Sequence, residues 1–220
     1  MSTGNNSTKL AVLVSGDGSN FQAIIDAIEV GDLDAQLSVV ISNVASARAL
    51  ERGRKAGIHC ISLPHTDFPS RAAFDEALAE RLRDFQPDFV VLAGFMRILT
   101  PKFIDGFRHK LVNLHPSLLP RHPGLHTHRA ALEAGDKEHG TSVHFVTEIL
   151  DDGPIIGQAK LQIGNNDNEL SLKRRIQVLE HRLYPQCLQL LATRALVNRE
   201  GELFYLGKAC SSPPLLIEES

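Results

Sequence analysis

The feature that most constrains the fold of this chain is a unit that repeats along it: a short apolar run, a turn, then a helical stretch. KLAVLVS (residues 9–15) stops at GDGS, after which Phe21, Ile24, Ile25 and Ile28 recur at helical spacing. The unit returns as QLSVVIS with ARALERGRKAG, HCISL with SRAAFDEALAERLRDF, and DFVVLAG with TPKFIDGF, before KLVNLH. Five strands alternating with helices require a mainly parallel sheet, covered on both faces and joined by right-handed crossovers. The pattern then changes. GTSVHFVT and GPIIGQAKLQI have only TEILDD between them, too little for a crossover helix, so they should be antiparallel neighbours at the far edge. From Glu169 to about Arg194 a long helix is expected, with Leu172, Ile176, Leu179 and Leu183 inward and Pro185 kinking or interrupting it.

These readings give the α/β class: a mainly parallel Rossmann-like sheet of about seven strands, helices on both faces, and antiparallel last strands. A chain of 220 residues, 43% hydrophobic and 22% charged, suits one domain with a substantial core. We place that domain at 9–207, after a flexible N-terminus (1–8) and before a C-terminal tail (208–220) that includes SSPPLLIEES. The opening MSTGNNST lacks an apolar signal region, and the apolar run FVVLAGFM is far short of a membrane span. Cys60, Cys187 and Cys210 lie far apart, which argues against a disulfide framework and fits a cytoplasmic setting. With a net charge of -3, and KRR at residues 173–175 as its local basic knot, the chain is not expected to bind nucleic acid. An anionic ligand would have to be met by local backbone donors.

In open α/β sheets ligands lie beyond the carboxyl ends of the strands. At the first such end, SGDGSN (residues 15–20), Gly16 and Gly18 allow a tight turn, and the amides opening the next helix point outward, well placed for a phosphate. The stretch is neither a Walker motif nor G-x-G-x-x-G, and a structural turn with Ser19 as helix cap stays open. At another end, LVNLH alternates so that Asn113 and His115 emerge together. An amide and an imidazole around one oxygen can stabilise the oxyanion of an acyl transfer, and histidine can also move a proton. A histidine merely capping the strand explains the spacing as well. His126 and His128 form an H-x-H pair, but they open a helix and have no further ligand at recognisable spacing, so no metal site is expected. Asp151 and Asp152 precede Gly153-Pro154 and read as a turn. If that loop folds back, a carboxylate can pair with His115, favouring its charged form and fixing its orientation.

Together SGDGSNFQAIIDA, VVLAGFMRILTP, LVNLHPSLLPRHPGLHTHRAALEAGDKEHGTSVHFVTEILDDGPII and LEHRLYP closely resemble the folate-dependent formyltransferases. SGDGSN and PGLHTHR are particular to the glycinamide ribonucleotide branch of that family. The resemblance implies the formyltransferase fold, with ribonucleotide bound by the N-terminal half, folate by the C-terminal half and the active site between. It implies transfer of the formyl group of 10-formyltetrahydrofolate to the amine of glycinamide ribonucleotide, a step of de novo purine biosynthesis. Asn113, His115 and Asp151 would be catalytic. Gly18, Ser19 and Asn20 would hold the phosphate end of the ribonucleotide, and Glu180 its ribose hydroxyls. The folate would lie along Met96, Arg97, Ile98 and Leu99, with Arg71 near its glutamate end and Val146 opening the loop over its pterin. Ser142, His144, His126 and His128 would support these groups. The partners implied are the two small-molecule substrates, with neither metal, nucleic acid nor membrane, for a monomer or homodimer. One departure is Asp17, where Asn or a small neutral residue is expected; a carboxylate there should turn outward. A folate deformylase would use the same catalytic residues with water as acceptor, leaving the glycine loop and Glu180 without purpose. A methionyl-tRNA formyltransferase would add an RNA-binding domain, and a non-catalytic nucleotide-binding module would not explain Asn113 and His115.

Overall fold

A computed structural model of the chain describes residues 7–219. Most of the expected flexible N-terminus lies outside them, and Thr8 already belongs to the first strand. The alternation read from the sequence appears as β1 (Thr8–Val14), α1 (Ser19–Glu29), β2 (Ala35–Ser42), α2 (Arg48–Lys55) and β3 (Cys60–Ser62). It continues as α3 (Arg71–Phe85), β4 (Phe89–Leu92), α4 (Pro101–Gly106) and β5 (Leu111–His115). After α5 (Thr127–Glu133) come β6 (Glu138–Phe145), β7 (Ile155–Gln162) and the long α6 (Glu169–Ala192). The chain ends with β8 (Leu196–Arg199), β9 (Glu202–Tyr205), β10 (Lys208–Ala209) and β11 (Leu215–Glu218).

The main sheet has eight strands in the order β11-β7-β6-β5-β4-β1-β2-β3. β1 to β5 are parallel, β6 is antiparallel to both β5 and β7, and β11 is parallel to β7. Each strand divides the core by its period of two. Leu10, Val12 and Val14 face the cluster containing Phe21, Ile24, Leu50, Leu179 and Leu183 of α1, α2 and α6. Ala11 and Leu13 face the other, with Phe74, Leu78, Phe103 and Ile104 of α3 and α4. From Leu10 to Val14 every β1 side chain is therefore buried, as two helical layers demand.

The segment expected to be a tail departs from that reading. Its last residues form β11, which pairs with β7 from Leu215↔Gly157 to Glu218↔Lys160. Glu218 pairs with Lys160, while Arg175 of α6 joins Asp167 to Glu219. Between α6 and β11 lies a separate three-stranded sheet, β8-β9-β10. Pro185 does not end α6, which runs unbroken through it; that residue is buried in the helix. An Asn168–Ser171 capping box starts the helix. No helix among the described residues is long and apolar enough to cross a membrane.

Candidate active site

The strand order reverses between β1 and β4, and a sheet of this kind opens its ligand crevice where that reversal lies. The loops leaving the two strands are tied together there. Ser15 N–H donates to the Gly94 carbonyl (3.1 Å), and the Met96 N–H donates to Ser15 Oγ (2.7 Å). Ser15 Oγ in turn donates to Asn43 Oδ1 at the end of β2 (2.6 Å). Ser15 and Asn43 were not nominated from the sequence, although both stand at strand carboxyl ends, where that search begins.

On the β1 side, Gly18 rather than Ser19 occupies the cap position of α1. Its φ is +77°, and a Cβ there would come within 2.6 Å of the Ala49 side chain, so both conformation and space call for glycine. Ser19 opens the helix and its Oγ accepts from Gln177 Nε2 (2.7 Å). Asn20 Nδ2 donates to Glu180 Oε2 (2.9 Å), while Asn20 Oδ1 is buried without a partner among the described residues. Burial pushes the Glu180 carboxyl up to about 7, against the pull of the Asn20 amide and of Lys173. Ser19 and Asn20 are thus tied to Gln177 and Glu180 across the packed seam of α1 and α6, with Gly18 just ahead of them. Asp17 points away from it, paired with Arg48 (3.1 Å) and Arg52 (2.9 Å).

On the β5 side, Val112 and Leu114 face the α1/α6 cluster, so alternation turns Asn113 and His115 to the α3/α4 face. Asn113 is half-buried and His115 is 5% exposed. The loop after β6 folds back on them, with Asp151 at φ 53°. Asp151 Oδ2 lies 3.4 Å from His115 Nδ1 and accepts from Gly124 N–H (2.9 Å). Asp151 Oδ1 stands 3.7 Å from His144 Nε2. His115 Nε2 meets the His122 carbonyl at 2.9 Å. Each ring nitrogen of His115 thus faces an oxygen, the Asp151 carboxylate on one side and the His122 carbonyl on the other.

His144 is the counterpart. It is 1% exposed, its Nδ1 donates to the Phe145 carbonyl (2.9 Å), and Asn113 Nδ2 approaches its Nε2 at 3.3 Å. Burial pushes this imidazole down, against the pull of the Phe145 carbonyl and of Asp151. A neutral ring with Nε2 as acceptor fits both contacts and fixes the Asn113 amide, whose second N–H is left for the crevice.

The other nominated residues divide. Ser142 Oγ donates to the Ser117 carbonyl and receives Leu119 N–H and Gln158 Nε2, which makes it scaffold for residues 116–121. His128 turns to His139 (Nδ1 to Nε2, 3.1 Å) and not to Asp151, and His126 is exposed at the left-handed cap of α5. His122 pairs with Asp136 (2.7 Å). Burial, and then the charges of His128 and His122, push His139 down to about 4. Among the described residues no set of three His, Cys, Asp or Glu side chains is arranged to hold a metal ion.

Along the segment after β4, Met96 and Ile98 are exposed (72% and 62%), Leu99 is buried, and Arg97 lies over the Phe74 ring at 5.1 Å. Val146 packs on the cluster that holds Phe95 and Leu99, and its N–H donates to Leu111 O. Ile149 and Leu150 are exposed as well (66% and 55%). Such apolar residues left in water around a crevice suit a flat, largely apolar ligand. Arg71 is exposed on the first turn of α3, where it forms no side-chain hydrogen bond or ion pair with other described residues. Tyr184, fully buried on α6, places its Oη 3.1 Å from both the Leu92 and Val112 carbonyls, bracing β4 against β5 from behind.

An amide and an imidazole brought together beside a glycine turn at the carboxyl ends of a parallel sheet fit an acyl-group transferase. The sequence pattern of the formyl transferase family matches residues 8–188. A phosphoribosylglycinamide formyltransferase of Escherichia coli (strain K12) is 48% identical over 199 residues, 90% of this chain and 94% of that protein. The trifunctional purine biosynthetic protein adenosine-3 of Homo sapiens is 41% identical over 202 residues, 92% of this chain and 20% of that longer protein. The solved phosphoribosylglycinamide formyltransferase of Coxiella burnetii superposes with a TM-score of 0.91 at 42% identity, covering 96% of this chain and 100% of that one. The chain belongs to the formyl transferase family, and within it to the phosphoribosylglycinamide formyltransferases.

Proposed function

We propose that the protein transfers the formyl group of 10-formyltetrahydrofolate to the primary amine of glycinamide ribonucleotide, releasing formylglycinamide ribonucleotide and tetrahydrofolate. The observation that carries this reading is the meeting of Asn113, His115 and Asp151 in one crevice beside the glycine loop. The neutral amine attacks the formyl carbon and a tetrahedral oxyanion forms. The free Asn113 N–H and His115 Nδ1–H meet that oxygen. His115 Nδ1 stands 3.4 Å from Asp151, longer than a charge-assisted hydrogen bond, so it can serve the oxyanion with the carboxylate behind it. The bond from formyl carbon to folate N10 then breaks. The proton lost by the amine passes, through water held at Asp151, to N10.

Residues 18–20 hold the phosphate by backbone N–H groups and Glu180 accepts the ribose hydroxyls. The folate lies along residues 96–99, with Arg71 toward its glutamate and Val146 under the loop that covers the pterin. The test follows folate absorbance after mixing protein with 10-formyltetrahydrofolate, with and without glycinamide ribonucleotide. Turnover that requires the ribonucleotide is expected. Formate release at the same rate without it would instead identify a deformylase.

A further inference from the structure

The contacts of helix α2 set Arg52 apart. We infer that Arg52 is a positioning residue for the phosphate of the ribonucleotide: it grips the glycine loop through Asp17 and cancels that residue's charge. The inference rests on the proposed phosphate-holding role of residues 18–20.

Three of its nitrogens are engaged. Arg52 Nε donates to the Asp17 carbonyl (2.8 Å), one terminal nitrogen to Asp17 Oδ2 (2.9 Å), and the other to Gln22 Oε1 on α1 (3.1 Å). One planar side chain therefore joins the loop backbone, a loop side chain and the helix that the loop opens, a task a lysine ammonium cannot perform. Ala49 N–H adds a bond from α2 to the Gly16 carbonyl (3.1 Å), and the Arg52 stem lies against Gly18, whose hypothetical Cβ would be 3.5 Å from its Cδ. The Gly18 turn, which aims the next two amides, is thus clamped from the α2 side.

Charge makes the same residue matter twice. Asp17 brings a carboxylate to a loop that has to accept a dianion, and such a charge weakens anion binding at a helix start. Arg48 and Arg52 supply two positive charges against that one negative charge. The two arginines are not equivalent. Arg48 is 68% exposed and touches only the carboxylate, whereas Arg52 is 21% exposed and also holds the backbone. Exposed pairs such as Asp17–Arg48 contribute little stability, so the effect should appear in ligand binding before it appears in folding.

The test compares wild type with Arg52→Ala, Arg52→Lys, Asp17→Asn and the Arg52→Ala/Asp17→Asn double variant. It measures kcat, both KM values, and the preference for glycinamide ribonucleotide over its dephosphorylated riboside. Arg52→Ala should raise KM for the ribonucleotide about tenfold, with kcat and folate KM within about twofold, and should erode the phosphate preference by a similar factor. Arg52→Lys, which keeps charge but not the fork, should recover only part of this. Asp17→Asn alone should change little, yet in the Arg52→Ala background it should improve ribonucleotide KM about threefold by removing the unpaired carboxylate. A thermal melt separates loss of folding from loss of binding; if Arg52→Ala does not fold, the phosphate preference of Arg52→Lys decides. An active wild type whose Arg52 variants keep the phosphate preference, or lose both KM values and kcat alike, overturns this inference alone. A wild type that forms no formylated ribonucleotide overturns the functional reading, and the inference with it.

Discussion

The two sides of the crevice are built in opposite ways. Around its turn the glycine-loop side relies on backbone amides and on ion pairs standing in water, Asp17 54% exposed and Arg48 68%, with Asn20 Oδ1 and the Glu180 carboxyl buried behind them. The histidine side relies on side chains withdrawn from water: His115 is 5% exposed, His144 1%, and the Asp151 side chain 7%. The difference fits the charge that each side is proposed to handle. A phosphate arrives already charged and can be met by groups that stay solvated and adjust. An oxyanion exists only in passing, so its donors must be aimed beforehand where the dielectric is low. On this view the wet side is forgiving and the dry side is not.

The largest effect should therefore fall on the dry side. Asn113→Ala and Asp151→Ala are each expected to lower kcat by about 100- to 1,000-fold while folate binding, followed by fluorescence titration, persists. A variant of either that kept most of its turnover would erase the contrast. Next comes the buried imidazole pair. His139 at about 4 lies below the ordinary imidazole value of about 6.5, so between those values the unfolded chain takes up a proton that the folded chain does not. The fold therefore carries no penalty from this group above about pH 6.5 and a growing one as pH falls toward 4. Denaturant melts at pH 7 and 4.5 should show the loss in wild type and a smaller one in His139→Asn.

On the wetter side the expected effects shrink. Glu180 at about 7 is mostly protonated below neutrality, so KM for the ribonucleotide should fall as pH rises through 7. Glu180→Gln should remove that dependence and raise KM about tenfold. Steady-state kinetics from pH 6 to 8 decide this, and an unchanged profile in Glu180→Gln would take the ribose contact away from it. The smallest effect lies behind both sides. Tyr184→Phe, which leaves the Leu92 and Val112 carbonyls without their shared donor, should cost about 1 kcal/mol in a denaturant melt and leave KM unchanged.

How much of this was legible beforehand depended on range. Five parallel strands follow from alternation, and the β6–β7 pairing from the missing crossover, because both are local patterns. Asn113 and His115 were nominated together because a strand repeats every two residues. β11 and the β8–β10 sheet were missed: apart from the buried Leu196 and Leu203 their residues are half-buried or exposed and short of apolar alternation, so docking rather than local preference orders them. Other contacts of the site join distant positions, as Ser15 joins Met96, Gln177 joins Ser19 and Tyr184 joins Leu92. No window on the chain contains both partners. Asp17 was correctly expected to turn outward, but the arginines that turn it lie 31 and 35 residues further on.

One oxygen, Ser15 Oγ, belongs to both halves of the crevice: it precedes the glycine loop and receives the amide that opens the segment after β4. With the ligands placed as proposed, the segment that carries the folate and the loop that holds the ribonucleotide meet at this atom. By thermodynamic reciprocity, whatever affinity a folate lends to the ribonucleotide through that atom, the ribonucleotide must lend back in equal measure, whichever arrives first.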